Sequence, residues 1–369
     1  MNRILHIAPL NVANVPYTLV MAERKLGFDS RLITLNSNQF GLPEDICLNL
    51  PLQRMPGIRK IKQTVYTPKR LWVDNVHRIP PQIPLQWQPE SWLERKLVQW
   101  REWIWRPKIK QAMIAIDIAN IDVIQLDGGL EFYRDGRVVQ KLKQAGKKII
   151  CCYTGSDLRV RGVIPPIDAI ADLNVSVEFD HLFFHPSIHH VFFPFDVSRF
   201  EIVPPATRGH LRIGHAPTNR LAKGSDRIIS ELQRLQAYHA IEIVLIENLP
   251  FEEAIRLKAT CDIFIDQIGD LGYGINSLEA LAMEIPVATS LVRTFTTHYP
   301  DHPFIDVTAQ TLAAQIQPLL SDPELRRRIG RRGREWVAKY HDAVTVVRTI
   351  HQLAGIPEPI AKGDHGQPG

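Results

Sequence analysis

Short apolar runs alternate with amphipathic stretches along most of this chain. RILHIAPL, residues 3–10, reads as a first strand and is too short an apolar run for a signal peptide. The turn NVANVP follows, and then YTLVMAERKLG repeats apolar residues at helical spacing, with Gly27 placed to end the helix. DSRLITL reads as the next strand. Further on, DVIQL leads into Asp127-Gly128-Gly129, RVVQKLKQAG reads as a helix, and KKIICCY leads into Thr154-Gly155-Ser156-Asp157. Strands that alternate with helices predict an α/β fold with a parallel sheet and right-handed crossovers. Such sheets bind ligands at the carboxyl ends of their strands, so these two loops draw attention first.

A second series begins after the proline-bearing stretch PSIHHVFFPFDVSRFEIVPPATRG. LRIGHAP, IEIVLIE, DIFID and PVATS read as strands, and SDRIISELQRLQ, FEEAIRLKATC and INSLEALAME as the helices between them. The 369 residues exceed one ordinary core, which predicts two domains. The adjacent prolines Pro204–Pro205 favour an extended linker, giving a first domain over 1–205 and a second over 206–340. The polar, glycine- and proline-bearing residues 357–369 read as a flexible tail.

Composition changes this picture in one region. Hydrophobic residues are 45% and charged residues 22%, the mixture of a folded globular chain. The net charge is +5, yet residues 54–110 hold 13 Lys/Arg against 4 Asp/Glu, +9 in all. Six of the seven tryptophans also lie there: Trp72, Trp87, Trp92, Trp100, Trp103 and Trp105. The segment reads as a basic insertion in the first domain. It suits peripheral contact with an anionic membrane, and equally ordinary packing under a basic surface. No nucleic-acid-binding module accompanies the charge. The four cysteines show no metal-ligand spacing, Cys151 and Cys152 lie in an apolar strand, and no run reaches the roughly 18 apolar residues of a span, so a cytoplasmic protein is expected.

Two constellations carry chemistry. In DIFIDQIGDLGYGINSLEALAMEIPVATS a strand ends at Asp266, a loop carries Gly269, Gly272 and Gly274, and a helix begins. Glycines there let backbone N–H groups approach a ligand, and Glu279 in the helix can accept hydrogen bonds from a ribose diol. In IGHAPTNRLAKGSD a strand leads into a loop with Arg220 and Lys223, and Ser225 or Asp226 stands ready to cap the next helix. Two cations at a helix start suit a diphosphate; the spacing is not that of a Walker A loop.

Together these residues carry a family resemblance. A strand, a basic Lys-Gly loop and then GYGxxxxEAxAxxxPVA about fifty residues later resemble the retaining glycosyltransferases of the group-1 (family 4) type. The likeness is sharpest over Leu211–Ser290. It implies two facing Rossmann-like domains, the GT-B architecture, with a C-terminal helix over 341–356 crossing back onto the first domain. It implies that Lys223 and Arg220 neutralise a donor diphosphate, that Glu279 binds ribose, and that Gly272, Tyr273 and Gly274 lie against the donor's sugar and phosphates. The reaction implied is hexosyl transfer with retention, from a UDP- or GDP-sugar to a saccharide or lipid-linked acceptor in polysaccharide or glycolipid assembly. Charge on the leaving nucleotide would be met by these cations, with no metal and no other cofactor.

The chain departs from the pattern at three places. Leu271 stands where the family's first motif glutamate falls, so Asp270 or Asp266 becomes the candidate contact to the sugar. Asn11 and Asn14 replace a glycine pair in the turn after the first strand. The position of a family histidine falls on Thr154, and Asp157 nearby joins Lys223 and Arg220 as a catalytic candidate. These departures keep a second reading open, a non-catalytic GT-B scaffold that binds a nucleotide-sugar or a partner protein. His6, His189, His190 and His215 read as packed structural histidines, with His215 close enough to the phosphate loop to remain a candidate.

Overall fold

The computed structural model describes residues 3–38, 40–52, 83–155, 157–203, 208–269 and 272–359. The linker expected at Pro204–Pro205, the tail beyond residue 359 and much of the basic insertion lie outside them. The chain forms two compact units. Phe195–Asp342 belongs to one, and the described residues before Phe195 join those from Ala343 onward in the other.

The first unit is a parallel sheet of seven strands. They are β1 (Arg3–Ala8), β2 (Asp29–Thr34), β3 (Ile46–Cys47), β4 (Val123–Asp127), β5 (Lys148–Tyr153), β6 (Leu173–Ser176) and β7 (Ile188–His190). Their order is β3-β2-β1-β4-β5-β6-β7, so the chain reverses its direction of travel between β1 and β4. The flanking helices include α1 (Val15–Lys25), α2 (Trp92–Ala115), α3 (Arg137–Gln144) and α4 (Pro165–Asp168). Runs such as Lys148–Tyr153 are buried almost throughout, as strands covered on both faces must be.

The second unit has β8 (Leu211–His215), α5 (Arg220–Lys223), α6 (Ser225–Gln236), β9 (Ile241–Leu245), α7 (Phe251–Lys258) and β10 (Ile263–Ile265). It continues with α8 (Ile275–Ala282), β11 (Val287–Thr289), α9 (Arg293–His298), β12 (Ile305–Asp306), α10 (Leu312–Ser321) and α11 (Pro323–Tyr340). Its parallel sheet has the order β12-β11-β10-β8-β9, which puts the reversal between β8 and β10. The predicted α/β class with two parallel sheets therefore stands. The core of this unit forms where Ile213, Ile263, Ile265 and Ala288 meet Ile228 and Leu232 of α6.

Three local expectations change. The loop of Arg220 and Lys223 is a single helical turn, capped by Asn219, whose side chain accepts from the Ala222 N–H. The turn after β1 puts Asn14 in the left-handed region at φ 59°, a conformation that asparagine tolerates better than most residues and that glycine adopts freely. Asn11 is buried there and donates to Pro43 O at 2.8 Å. Third, His6 sits in mid-strand inside an ionic cluster. Its Nδ1 is 3.1 Å from Asp127 and its Nε2 2.9 Å from Glu23 of α1.

Glu23 also accepts from Ser30 at 2.5 Å and from His351 at 3.0 Å. His351 lies in α12 (Ala343–Ala354), the C-terminal helix that packs against α1 in this first unit. Burial alone would lower the His6 pKa, but the two carboxylates overcome it and raise it to about 10. Burial would raise that of Glu23, but His6 and His351 bring it down to about 2.

In the insertion, Trp105 is buried and donates to Pro51 O at 2.7 Å. Trp92, Leu93, Trp100, Trp103 and Ile114 of α2 are exposed. At about 100° per residue these five fall within an arc of roughly 100° on one helix face. Among the described residues no helix is long and apolar enough to cross a membrane.

Candidate functional site

In the second unit the carboxyl ends of β8 and β10 are neighbours, and between them lies the reversal point where open α/β sheets open a crevice. Strand β8 ends on His215, fully buried. Its Nδ1–H donates to Ile265 O at 2.8 Å, so Nε2 accepts from the Ser225 hydroxyl, also at 2.8 Å. Burial lowers its pKa and keeps the ring neutral. His215 thus ties the start of α6 to the end of β10, and Ser225 spends its hydroxyl on the ring instead of capping α6.

The turn from α5 into α6 is packed against the loop after β10. Ile268 N–H donates to Lys223 O at 3.0 Å, and Gly224 takes φ 69°. A Cβ on Gly269 would strike the backbone of Ala222, so only glycine lets the two loops approach this closely. That approach sets Lys223 Nζ 2.6 Å from Asp266 Oδ1. The other oxygen of Asp266 accepts from Gly274 N–H at 3.0 Å and from the Ser277 hydroxyl at 2.6 Å. Burial would raise the Asp266 pKa; Lys223, Ser277 and the Gly274 N–H outweigh it and hold the carboxylate below its usual range. Asp266 therefore anchors the start of α8 and orients Lys223 at the same time. Arg220, half exposed, makes a fork to Glu247 at 2.7 and 2.5 Å.

Glu279, in α8, is 7% exposed. Its Oε2 accepts from Lys258 of α7, a buried ammonium that also donates to Asn276 at 2.7 Å and lies 5.0 Å from the centre of the Phe264 ring. Asn276 in turn donates to Ala216 O at 3.2 Å, closing the network onto the loop after β8. Lys258, Asn276, Ser277 and Glu247 escaped the sequence reading. The signal for Lys258 was there: with Ala254 and Ile255 it falls on the inward side of FEEAIRLK, where an apolar residue would be expected.

The remaining candidates divide. Gly272 is pinned by its N–H to Ser290 O at 2.8 Å, and its carbonyl accepts from Gln267 and Thr289. The Tyr273 ring stacks on Phe304 at 4.6 Å and meets Trp336 edge-on, so its side chain belongs to an aromatic core and only its backbone borders the loop. Asp270 and Leu271 lie outside the described residues. Asp157 belongs to the first unit. Its Oδ2 accepts from Thr154 N–H at 3.0 Å, its Oδ1 meets Arg161 at 3.2 Å, and burial raises its pKa against both. His189 is exposed on β7 and His190 packs edge-on against Phe179 and Phe192. Among the described residues no group of three or more His, Cys, Asp or Glu is arranged to hold a metal ion.

Known proteins resemble this chain over part of its sequence and in its fold. Residues 226–352 match the family model described as glycosyl transferase-like. No curated protein matches in sequence. Among solved structures, the N-terminal domain of trehalose-6-phosphate phosphatase from Candida albicans is similar at TM-score 0.61 and 10% identity, covering 96% of this chain and 97% of that one. Sucrose-phosphate synthase from Thermosynechococcus elongatus is similar at TM-score 0.57 and 15% identity, over 96% and 98%. A glycosyltransferase from Rickettsia africae ESF-5 is similar at TM-score 0.56 and 12% identity, over 96% and 97%. Residues 226–352 are thus similar to the glycosyl transferase-like family, and the chain has the fold of these solved structures, that of the GT-B glycosyltransferases.

Proposed function

We propose that the protein moves a sugar, with retention and without a metal, from a UDP- or GDP-sugar to a saccharide or glycolipid acceptor in surface polysaccharide or glycolipid assembly. The observation that supports this most is Lys223 held by Asp266 beside the start of α8, at the reversal point of the second sheet. An ammonium has three protons. One goes to Asp266, and two remain for phosphate oxygens. Gly274 is near enough that a Cβ there would stand 3.8 Å from Lys223 Nζ, so a side chain would crowd the position a phosphate would take. As the bond between sugar and diphosphate breaks, negative charge grows on the leaving nucleotide. A cation already oriented by a buried carboxylate meets that charge without reorganisation. Arg220 adds a second cation after exchanging Glu247 for phosphate. Glu279 has Oε2 engaged by Lys258, which leaves Oε1 to accept from ribose hydroxyls.

The exposed tryptophan face of α2, set among Lys96, Arg106 and Lys110, supports docking on the inner face of an anionic membrane, where lipid acceptors reside. Anionic liposomes should sediment the protein at low salt and release it as salt rises. An absence of binding at any ionic strength would leave packing as the role of these residues.

Thermal unfolding with UDP, GDP and their sugars, followed by release of nucleotide and the anomeric form of the product, tests the reading. Binding with slow release, and faster release once an acceptor is added, is expected. Binding with neither hydrolysis nor transfer would favour a scaffold. An inverted product would overturn retention, and loss of activity in EDTA with recovery in Mg²⁺ or Mn²⁺ would overturn metal independence.

A further inference from the structure

The first unit has its own reversal point, between β1 and β4. The loops that follow β4 and β5 there carry arginines that the reading above does not use. Arg134 lies between β4 and α3, and its guanidinium sits 5.2 Å from the centre of the Trp87 ring. Its Nη1 is buried and has no hydrogen-bond partner among the described residues. Arg101, on α2, lies 4.4 Å from the centre of the Trp105 ring and likewise buries an unpartnered Nε. Arg161 completes the group, donating to Gly128 O and meeting Asp157.

The acidic groups nearby are already committed. Glu102 accepts from the Arg134 backbone N–H at 2.7 Å and from Arg137 at 3.0 Å, and Asp157 is shared between Arg161 and Thr154. Elsewhere in this unit buried charges are closed off: Arg159, for instance, forks onto Asp180 at 2.7 and 2.6 Å and reaches Glu178 at 2.9 Å. Burial pushes the Arg134 guanidinium down to about 9, and Arg161 and Arg101 push the same way. Two guanidinium groups with buried, unpartnered nitrogens, beside a third that shares Asp157, destabilise the free protein, and an anion with two or three oxygens would relieve that cost. The aromatic seats hold two of these guanidinium groups in place, so an anion would meet donors already oriented.

We infer that Arg134, Arg101 and Arg161 form an anion site at the carboxyl end of the first sheet, which takes the phosphate or carboxylate of the sugar acceptor. The inference rests on the transferase reading for the word acceptor, while the anion site itself does not depend on it. It narrows the acceptor class from saccharides in general to acidic ones.

The test is calorimetric and thermal titration of the full chain with glucose 6-phosphate, glucuronate, glucose and inorganic phosphate. A saturating concentration of UDP or GDP is kept present to occupy the other unit. The wild type should bind an acidic sugar at least about tenfold more tightly than glucose, as charge-assisted contacts would give. Phosphate should raise its melting temperature. Arg134→Gln should lose that preference and the phosphate shift, keep the nucleotide affinity of the parent, and melt no lower than the parent without ligand. Should Arg134→Gln fail to fold, Arg101→Gln decides, with loss of the same preference expected. Equal binding of acidic and neutral sugars by the wild type, or an unchanged preference in the variants, overturns the site. Failure of the parent to bind any nucleotide, with the anion preference intact, would strike the transferase reading and spare the site.

Discussion

The two reversal points carry cations under opposite conditions. In the second unit each relevant cation has a carboxylate: Lys223 with Asp266, Lys258 with Glu279, Arg220 with Glu247. In the first unit Arg134 and Arg101 keep buried nitrogens unpartnered among the described residues. A compensated cation is held in place before the ligand arrives and binds by adding a contact. An uncompensated one binds by ending a penalty. The same parallel-sheet topology thus carries cations fixed by carboxylates in the second unit and cations with stored charge in the first.

The largest effect expected from breaking this comparison is at Lys258 and Glu279. Glu279→Gln would leave a buried ammonium facing a neutral amide, a loss of about 3–5 kcal/mol in urea unfolding. Replacing both, Lys258→Met with Glu279→Leu, should recover most of that stability, because a buried ion pair exchanged for apolar groups is close to neutral. The double variant should still bind nucleotide poorly, since no acceptor for ribose remains. Recovery of nucleotide affinity along with stability would mean that Glu279 has a purely structural role.

Next in size is a pH effect confined to the first unit. His6 has its folded pKa raised to about 10, so its contribution is complete below the unfolded value of 6.5 and is lost as pH rises toward 10. Glu131, whose carboxyl is pushed up to about 8 by burial against the opposing N–H groups of Val138 and Val139, loses stability over pH 4.5 to 8 for the same reason. Glu23 is lowered to about 2, so its contribution is present above 4.5 and fades only in acid. Asp266, in the second unit, is also lowered and fades in acid. Hydrogen exchange at pH 9.5 against pH 6 should therefore show protection falling in β1, α1 and β4 while β8 and β10 hold theirs. Uniform loss over both units would contradict the assignment of charge to His6.

How much of this could be read beforehand follows from the range of the interactions. The alternation of strands and helices is local, so four strands of each sheet and the loops after β4, β5, β8 and β10 were legible. The short strands β3, β6, β7 and β12 were not, β7 lying within the stretch read as the break between the two series. The αL turn at Asn14 was flagged only as an absent glycine pair, because sequence does not display φ. Partnerships across sheets were not legible at all. His6 read as a packed strand residue, yet it joins Glu23, 17 positions away, and Asp127, 121 away. Lys223 and Asp266 were each singled out, but not as partners, since 43 residues separate them. Tyr273 looked like part of a ligand loop by its place between glycines; its ring is drawn into the core by Phe304 and Trp336, which lie further along the chain.

The smallest effect concerns Arg220. Its fork to Glu247 is largely in water, so Arg220→Ala should leave the unfolding midpoint unchanged within error. If Arg220 turns to the diphosphate, the same variant should raise the KM for the donor severalfold with kcat less affected. A fall in stability with unaltered KM would confine Arg220 to a surface pair.

The central claim is that Lys223, oriented by Asp266, receives the donor's diphosphate. It is tested most directly by calorimetric affinities of the wild type and Lys223→Ala for UDP and GDP, with uridine and guanosine as controls and far-UV circular dichroism confirming the fold. The account predicts that the variant loses at least about tenfold in affinity for the diphosphate that the wild type prefers, while its weak nucleoside affinity stays the same. Wild-type diphosphate affinity in a folded Lys223→Ala protein would contradict it.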